Sequence, residues 1–140
     1  MEIRPMQWGD IDNGLLKVLS NLSKVVKIPL AHRQKIWSAL ASREDSILVA
    51  EEEGKIIGTA TLIITWKYLR GGVKSGRISD VATHPKHEGK GIGSKLVQAL
   101  IEVARCKGCY KITLSCSEEN RPWYERFGFR QHEVAMRLDL

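Results

Sequence analysis

Apolar positions change their period several times along the chain, and each change marks an element. Ile11, Leu15, Leu16, Leu19 and Leu22 recur at helical spacing, with Asp10 placed to cap the first turn. Pro29 opens a second helix that carries Ile36, Trp37 and Leu40. Ser46–Glu51 (SILVAE) and Lys55–Tyr68 (KIIGTATLIITWKY) read as β-strands joined by a tight turn at Glu53-Gly54-Lys55. Arg70–Gly76 (RGGVKSG) reads as a flexible connection, and Gly76–Thr83 (GRISDVAT) as the next strand. His84-Pro85 ends that strand, because the residue before proline is pushed to extended geometry. Leu96, Val97, Leu100, Ile101 and Ala104 form the apolar face of a helix over Gly93–Cys106. Tyr110–Ser115 reads as a strand, Pro122–Phe127 as a short helix and Phe129–Leu138 as a final strand. The order β-α-α-β-β-β-α-β-α-β predicts an α/β (α+β) fold, a mixed sheet with helices on its faces.

A length of 140 residues fits a single domain, residues 1–140, able to bury a sizeable core. Apolar residues make up 43% and charged residues 27%, an ordinary balance for a soluble globular protein. No apolar run approaches the roughly 20 residues that span a bilayer. The opening Met1-Glu2-Ile3-Arg4-Pro5 lacks a signal-peptide core. A cytoplasmic protein without a membrane partner is expected. The net charge of +6 suits an anionic partner, such as nucleic acid, an acidic membrane surface or a phosphate-rich cofactor; a solvated, mildly basic surface accounts for it equally well. Basic residues are scattered among acids and aromatics reach only 6%, which argues against a nucleic-acid platform. Cys106, Cys109 and Cys116 are an odd set without a second pair for structural zinc, so neither a disulfide framework nor a metal is expected.

The chemistry concentrates in Glu88-Gly89-Lys90-Gly91-Ile92-Gly93-Ser94-Lys95, which lies between a strand and a helix. Glycines let the backbone approach a phosphate, and the first helical turn offers unpaired N–H groups and a favourable dipole. Lys90 and Lys95 add charge nearby. A P-loop requires Gly-Lys-Ser/Thr at its end, and Gly93-Ser94-Lys95 has the wrong order. A Rossmann fingerprint requires G-x-G-x-x-G, and Gly89-x-Gly91-x-Gly93 has the wrong spacing. The spacing matches a coenzyme A pyrophosphate loop, Q/R-x-x-G-x-G/A.

With that loop, four further stretches resemble the GNAT superfamily of N-acetyltransferases. They are Ile3-Arg4-Pro5-Met6 with Gly9-Asp10, Gly76–Ala82, Gly108–Leu114, and Asn120-x-x-Trp123-Tyr124-x-x-Phe127-Gly128-Phe129. Within the superfamily the chain looks most like the glucosamine-6-phosphate N-acetyltransferases. The resemblance runs from Ile3 to about Met136. It implies a mostly antiparallel sheet, splayed between its two middle strands, with acetyl-CoA as cosubstrate. It implies direct attack of a primary amine on the thioester, without a covalent enzyme intermediate. A small-molecule amine, best matched by glucosamine 6-phosphate, is the expected acceptor, and a homodimer with exchange or pairing near Arg130–Leu138 is the expected assembly. A protein N-acetyltransferase is the second reading, and a non-enzymatic basic nucleic-acid-binding domain a distant third.

The resemblance also assigns roles. Asp80, Val81, Ala82 and Thr83 form the strand beside the pantetheine arm, with a backbone N–H near Val81 or Ala82 facing the thioester oxygen. Glu88, Gly89, Lys90, Gly91, Ile92, Gly93 and Ser94 hold the pyrophosphate, and Asn120 contacts the cofactor. Tyr124 is the catalytic group that protonates the departing thiolate, and Asp80 the catalytic acid near the amine. Ser79 stands where the subfamily carries Glu, and Glu88 stands where Gln or Arg opens the loop, so the Glu88 side chain is expected to turn away from phosphate. Lys67, Arg70 and Lys74 border the acceptor region, either attracting a phosphate or simply solvated, and His84 and His87 are expected at the loop surface.

Overall fold

The two hydrophobic runs in the middle of the chain form adjacent antiparallel strands in the computed structural model, which describes residues Met1–Leu140. They are β2, Ser46–Glu52, and β3, Lys55–Lys67. Glu53 and Gly54 take φ of +50° and +76°, so the expected turn is a two-residue hairpin loop. With β1 (Glu2–Pro5), β4 (Val73–Thr83) and β5 (Cys109–Thr113) they make one sheet in the order β1-β2-β3-β4-β5. All neighbours are antiparallel except β4 and β5, which are parallel because a helix crosses over between them.

The helices are α1 (Leu15–Leu19), α2 (Leu30–Ala41), α3 (Ile92–Cys106) and α4 (Arg121–Glu125). Strand alternation decides which covers which face. Leu48, Ala50, Leu62 and Ile78 meet Leu96, Val97 and Leu100 of α3 on one side. Val49, Ile56 and Ala82 meet Leu15 and Val18 of α1 on the other. The helix α2 buries none of its side chains; Trp37 stands edge-on to Trp8, and Arg33 pairs with Asp12.

Three expectations are corrected. Asp10 does not cap the first helix. It lies in a 3-10 turn, Trp8–Asp12, where its buried carboxylate accepts from both Arg4 Nη atoms at 2.9 Å and from the Gln7 N–H at 2.7 Å. A bidentate guanidinium holds a buried carboxylate better than a helix terminus does. The helix begins instead behind Gly14 and stops at Leu19, leaving Leu22 exposed. Phe129–Leu138 forms no strand. No strand of the chain pairs with it, its one side-chain hydrogen bond to α4 being Arg121 Nη1 donating to Gln131 Oε1 at 2.9 Å, and Val134, Met136 and Leu138 are at least 84% exposed. Arg70–Gly76 is not a loose connection: Leu69–Gly71 is a 3-10 turn and Val73–Gly76 already belong to β4. Glu44 fastens this hairpin tip by accepting from Trp66 Nε1 at 2.7 Å and Lys74 Nζ at 3.3 Å.

Arg4 also donates to Glu51 at 2.8 Å, so one guanidinium joins β1, β2 and the turn before α1. Asp10→Ala removes the bidentate partner and leaves the guanidinium with Glu51 alone, and is expected to lower unfolding stability by about 1–3 kcal/mol in urea titration. The Arg4 hydrogen bonds hold the Asp10 carboxyl below its ordinary value of 3.8. Its stabilisation is therefore complete above that pH and is lost as pH falls through the lower folded value. Asp10→Asn should flatten that part of the acid limb.

Candidate active site

The site begins with a fault in β4. Thr59 pairs with Ala82 and Thr61 with Ser79, so Asp80 and Val81 together oppose Ala60. This β-bulge puts Asp80 at φ +51°, a left-handed conformation that Asp tolerates better than most residues. Parallel pairing with β5 involves Lys74, Gly76 and Arg77 alone, and β5 ends at Thr113. From Ile78 to Thr83, β4 has no strand on its outer side. The sheet is therefore splayed between β4 and β5.

The sequence-predicted residues on this strand offer mainly backbone. Val81 packs against the α3-side core, and Ala82 is buried against α1. The Thr83 carbonyl is already engaged, accepting from Asn21 Nδ2 at 2.6 Å, which removes it from the free edge. The Asp80 carboxylate is exposed and forms no ion pair.

After β4 the chain makes a 3-10 turn, Pro85–His87, capped by His84 Nδ1 accepting from the Lys86 N–H at 3.1 Å. Burial and then the neighbouring His87 push the His84 imidazole below its ordinary value, favouring the neutral acceptor form used in that cap. Gly89 and Gly91 both take φ +78°, and no atom lies within 4 Å of the space a β-carbon would fill. Both observations suit glycine and a close-approaching anion. Gly91 precedes α3, whose first hydrogen bond runs from the Lys95 N–H to the Gly91 carbonyl at 3.1 Å. The N–H groups of Ile92, Gly93 and Ser94 are left without partners at the positive end of a 15-residue helix. Glu88 is exposed. Lys90 Nζ lies 3.4 Å from His87 Nδ1, which in turn lies 3.5 Å from a Glu52 carboxylate oxygen.

The helix α4 is fixed against this loop by Trp123. A methyl added to Gly93 would meet the Trp123 ring at 3.4 Å and Thr83 Oγ1 at 3.7 Å, so β4, α3 and α4 converge here. Trp123 meets Tyr124 edge-on at 4.8 Å, and Tyr124 meets Phe129 at 6.2 Å. Burial pushes the Tyr124 phenol above 10.0, with the nearby Cys116 adding to the shift, and no protein group hydrogen-bonds the hydroxyl. Asn120 is one turn before Tyr124, its carbonyl accepting from the Tyr124 N–H at 3.3 Å, so both share one side of α4. Lys67, Arg70 and Lys74 do not converge on this region. Arg70 lies over the Tyr110 ring, and Lys74 over Trp66.

Residues 18–129 match the acetyltransferase (GNAT) family. The chain belongs to that family. It is an acetyl-CoA-dependent N-acetyltransferase, and its splayed sheet is the GNAT fold. It is 49% identical to a glucosamine 6-phosphate N-acetyltransferase of Trypanosoma brucei brucei, an alignment that covers 100% of this chain and 96% of that protein. A probable glucosamine 6-phosphate N-acetyltransferase 2 of Oryza sativa subsp. japonica is 34% identical, with 99% and 87% covered. The crystal structure of glucosamine-6-phosphate N-acetyltransferase from Arabidopsis thaliana superposes with a TM-score of 0.93 at 31% identity, covering 99% of this chain and 97% of that one.

The unpartnered N–H groups and open glycine turn fit a pyrophosphate. Three features escaped sequence reasoning: Asn21 on Thr83, Cys116 beside Tyr124, and the Arg77–Ser115 hydrogen bond across the strand gap. Only Arg77 left a signal, since it alternates with the apolar Ile78 in GRISD. Gly91→Val should place a β-branched residue at positive φ, a strain of about 1–3 kcal/mol. Calorimetry should then show coenzyme A binding weakened about tenfold or more, together with a melting temperature lowered by several degrees.

Proposed function

We propose that this enzyme acetylates glucosamine 6-phosphate to N-acetylglucosamine 6-phosphate. The observation that carries the reading is the adjacency of three parts: the open edge of β4, the bare N–H row of α3, and a half-buried phenol. The names of the relatives at 49% and 34% identity support the acceptor.

Acetyl-CoA supplies an activated acetyl group when bound. The N–H groups of Ile92, Gly93 and Ser94, with Gly89 and Gly91 leaving room, hold its pyrophosphate, and Lys90 and Asn120 lie at the margins of that hold. The free edge of β4 near Val81 and Ala82 pairs with the amides of the arm, as a peptide adds to a sheet edge. Asp80 accepts a hydrogen bond from the acceptor amine and orients it. As the neutral amine attacks the thioester carbon and the C–S bond breaks, Tyr124 Oη would give its proton to the departing sulfur, and the proton shed by the new amide nitrogen would return through solvent to the phenol; burial keeps that phenol protonated throughout the neutral range. The scheme includes no metal.

The reading extends to a single acetyltransferase domain over residues 1–140 acting in the cytoplasm without nucleic-acid or membrane partners. No helix is long and apolar enough to cross a membrane. We propose a homodimer: Val134, Met136, Leu138 and Leu140 alternate along an exposed tail, the pattern of a strand that lacks its sheet. Transfer to a protein N-terminus or another small amine is the second reading, favoured by Ser79 in place of Glu.

A thiol-release assay with acetyl-CoA separates these readings. Glucosamine 6-phosphate should outperform glucosamine and N-terminal peptides, and Tyr124→Phe should lower kcat about a hundredfold while acetyl-CoA binding stays unchanged. No thiol above background with the sugar phosphate would rule out that acceptor.

A further inference from the structure

We propose that His87 is a proton-linked positioning residue for the coenzyme: its neutral imidazole holds the Lys90 ammonium aside, and its protonated form releases that ammonium to the pyrophosphate. This inference rests on the reading above that the glycine turn before α3 holds the pyrophosphate, and it adds a dependence on pH.

His87 closes the 3-10 turn Pro85–His87, two residues before Gly89. Lys90 stands between Gly89 and Gly91, and it is the only cation from Glu88 to Ser94. Its Nζ lies 3.4 Å from His87 Nδ1, and the same Nδ1 lies 3.5 Å from Glu52 Oε2 at the end of β2. One ring nitrogen cannot serve both neighbours at once. An ammonium only donates, so Nδ1 must offer Lys90 its lone pair. A carboxylate only accepts, so Nδ1 must carry a proton to meet Glu52. In the neutral ring the adjacent ammonium favours the tautomer that keeps the Nδ1 lone pair and places the hydrogen on Nε2. Protonation therefore turns the ring from Lys90 to Glu52 and makes it a second positive charge at the turn.

The charged groups around the imidazole come from three elements. Glu52 belongs to β2, Lys90 to the glycine turn, and His84 and Lys86 to the segment that His87 closes. The His84 ring stands edge-on to His87 at 5.7 Å. It stays neutral, because its Nδ1 accepts the Lys86 N–H at 3.1 Å, while burial, then His87, and then Lys17 of α1 hold it below its ordinary value. Without coenzyme, a proton on His87 gains Glu52 but meets the repulsion of Lys90 and Lys86. A pyrophosphate at the turn draws Lys90 off the ring and attracts the imidazolium directly. Binding therefore takes up a proton, and by linkage the bound His87 titrates at a higher pH than the free one. Affinity is greatest below the titration of the free ring and declines as pH rises through that of the bound ring.

Dephospho-coenzyme A is the probe. It keeps the pyrophosphate and lacks the 3′-phosphate, which would itself change charge near pH of about 6. Calorimetry from about pH 5.5 to about pH 8 spans the interval in which an imidazole changes charge. Wild-type affinity should fall about three- to tenfold across it. His87→Gln should remove the slope. Glu52→Gln should move it to lower pH, because the imidazolium loses its carboxylate. In NMR spectra the probe should raise the titration midpoint of the His87 ring and leave those of His32 and His132 in place. A wild-type affinity that is flat with pH, or a slope that His87→Gln retains, overturns the proposal. Gly91→Val separates it from the reading beneath it. If that variant weakens the probe while wild type shows no slope, the proton link alone fails. If Gly91→Val leaves the affinity unchanged, the pyrophosphate is held elsewhere and both fail.

Discussion

The structure turns on where β4 loses its outer neighbour. Parallel pairing with β5 ends at Arg77 and Thr113, and the bulge at Asp80 follows three residues later. An unpaired strand edge in a protein interior would be costly, because each N–H and C=O must find a partner. Here the edge opens into a cleft. The inner edge stays anchored to β3, with Gly58 opposite Thr83 and the His84 N–H on the Ile57 carbonyl at 2.8 Å. The strand is thus held rigidly on one side and left available on the other.

The bulge has a second effect. It reverses the alternation, so that Ile78 serves the core under α3 while Ala82 serves the core under α1. Both cores then fix the same strand from opposite faces, on either side of the strained Asp80. The bare N–H row at the start of α3 is fixed in the same way, because Ile92 and Leu96 are buried in the larger core. Trp123, packed at Gly93, brings the Tyr124 phenol to the same place. The site is assembled by packing around it, and its polar groups are left unpaired for a ligand.

Much of this was legible in the residues. The hydrophobic periods located β2, β3 and α3 because each buries a continuous apolar face, and the spacing of Gly89, Gly91 and Gly93 located the open glycine turn that leads into α3. What could not be read depended on contacts between distant segments. Asp10 has the spacing of a helix cap, yet Arg4 captures it from β1. The alternation of Val134, Met136 and Leu138 is a true strand pattern, but no strand of the chain pairs with it, and periodicity carries no information about a partner. The Asp80 bulge leaves no signature in GRISDVAT, since it arises from register against Ala60. The neutral partner of Arg77 is equally invisible, because Ser115 lies 38 residues away.

If the backbone of two segments, the free edge of β4 and the first turn of α3, binds acetyl-CoA, the amides of both must respond to it. The most direct measurement is an amide-resolved NMR titration of the 15N-labelled protein with acetyl-CoA. The largest shifts and the greatest gain in exchange protection should fall at Ile92, Gly93 and Ser94, and at Val81 and Ala82, with little change at the Leu69–Gly71 tip. Saturable binding that leaves those five amides unmoved, with shifts gathered elsewhere on the chain, would contradict it.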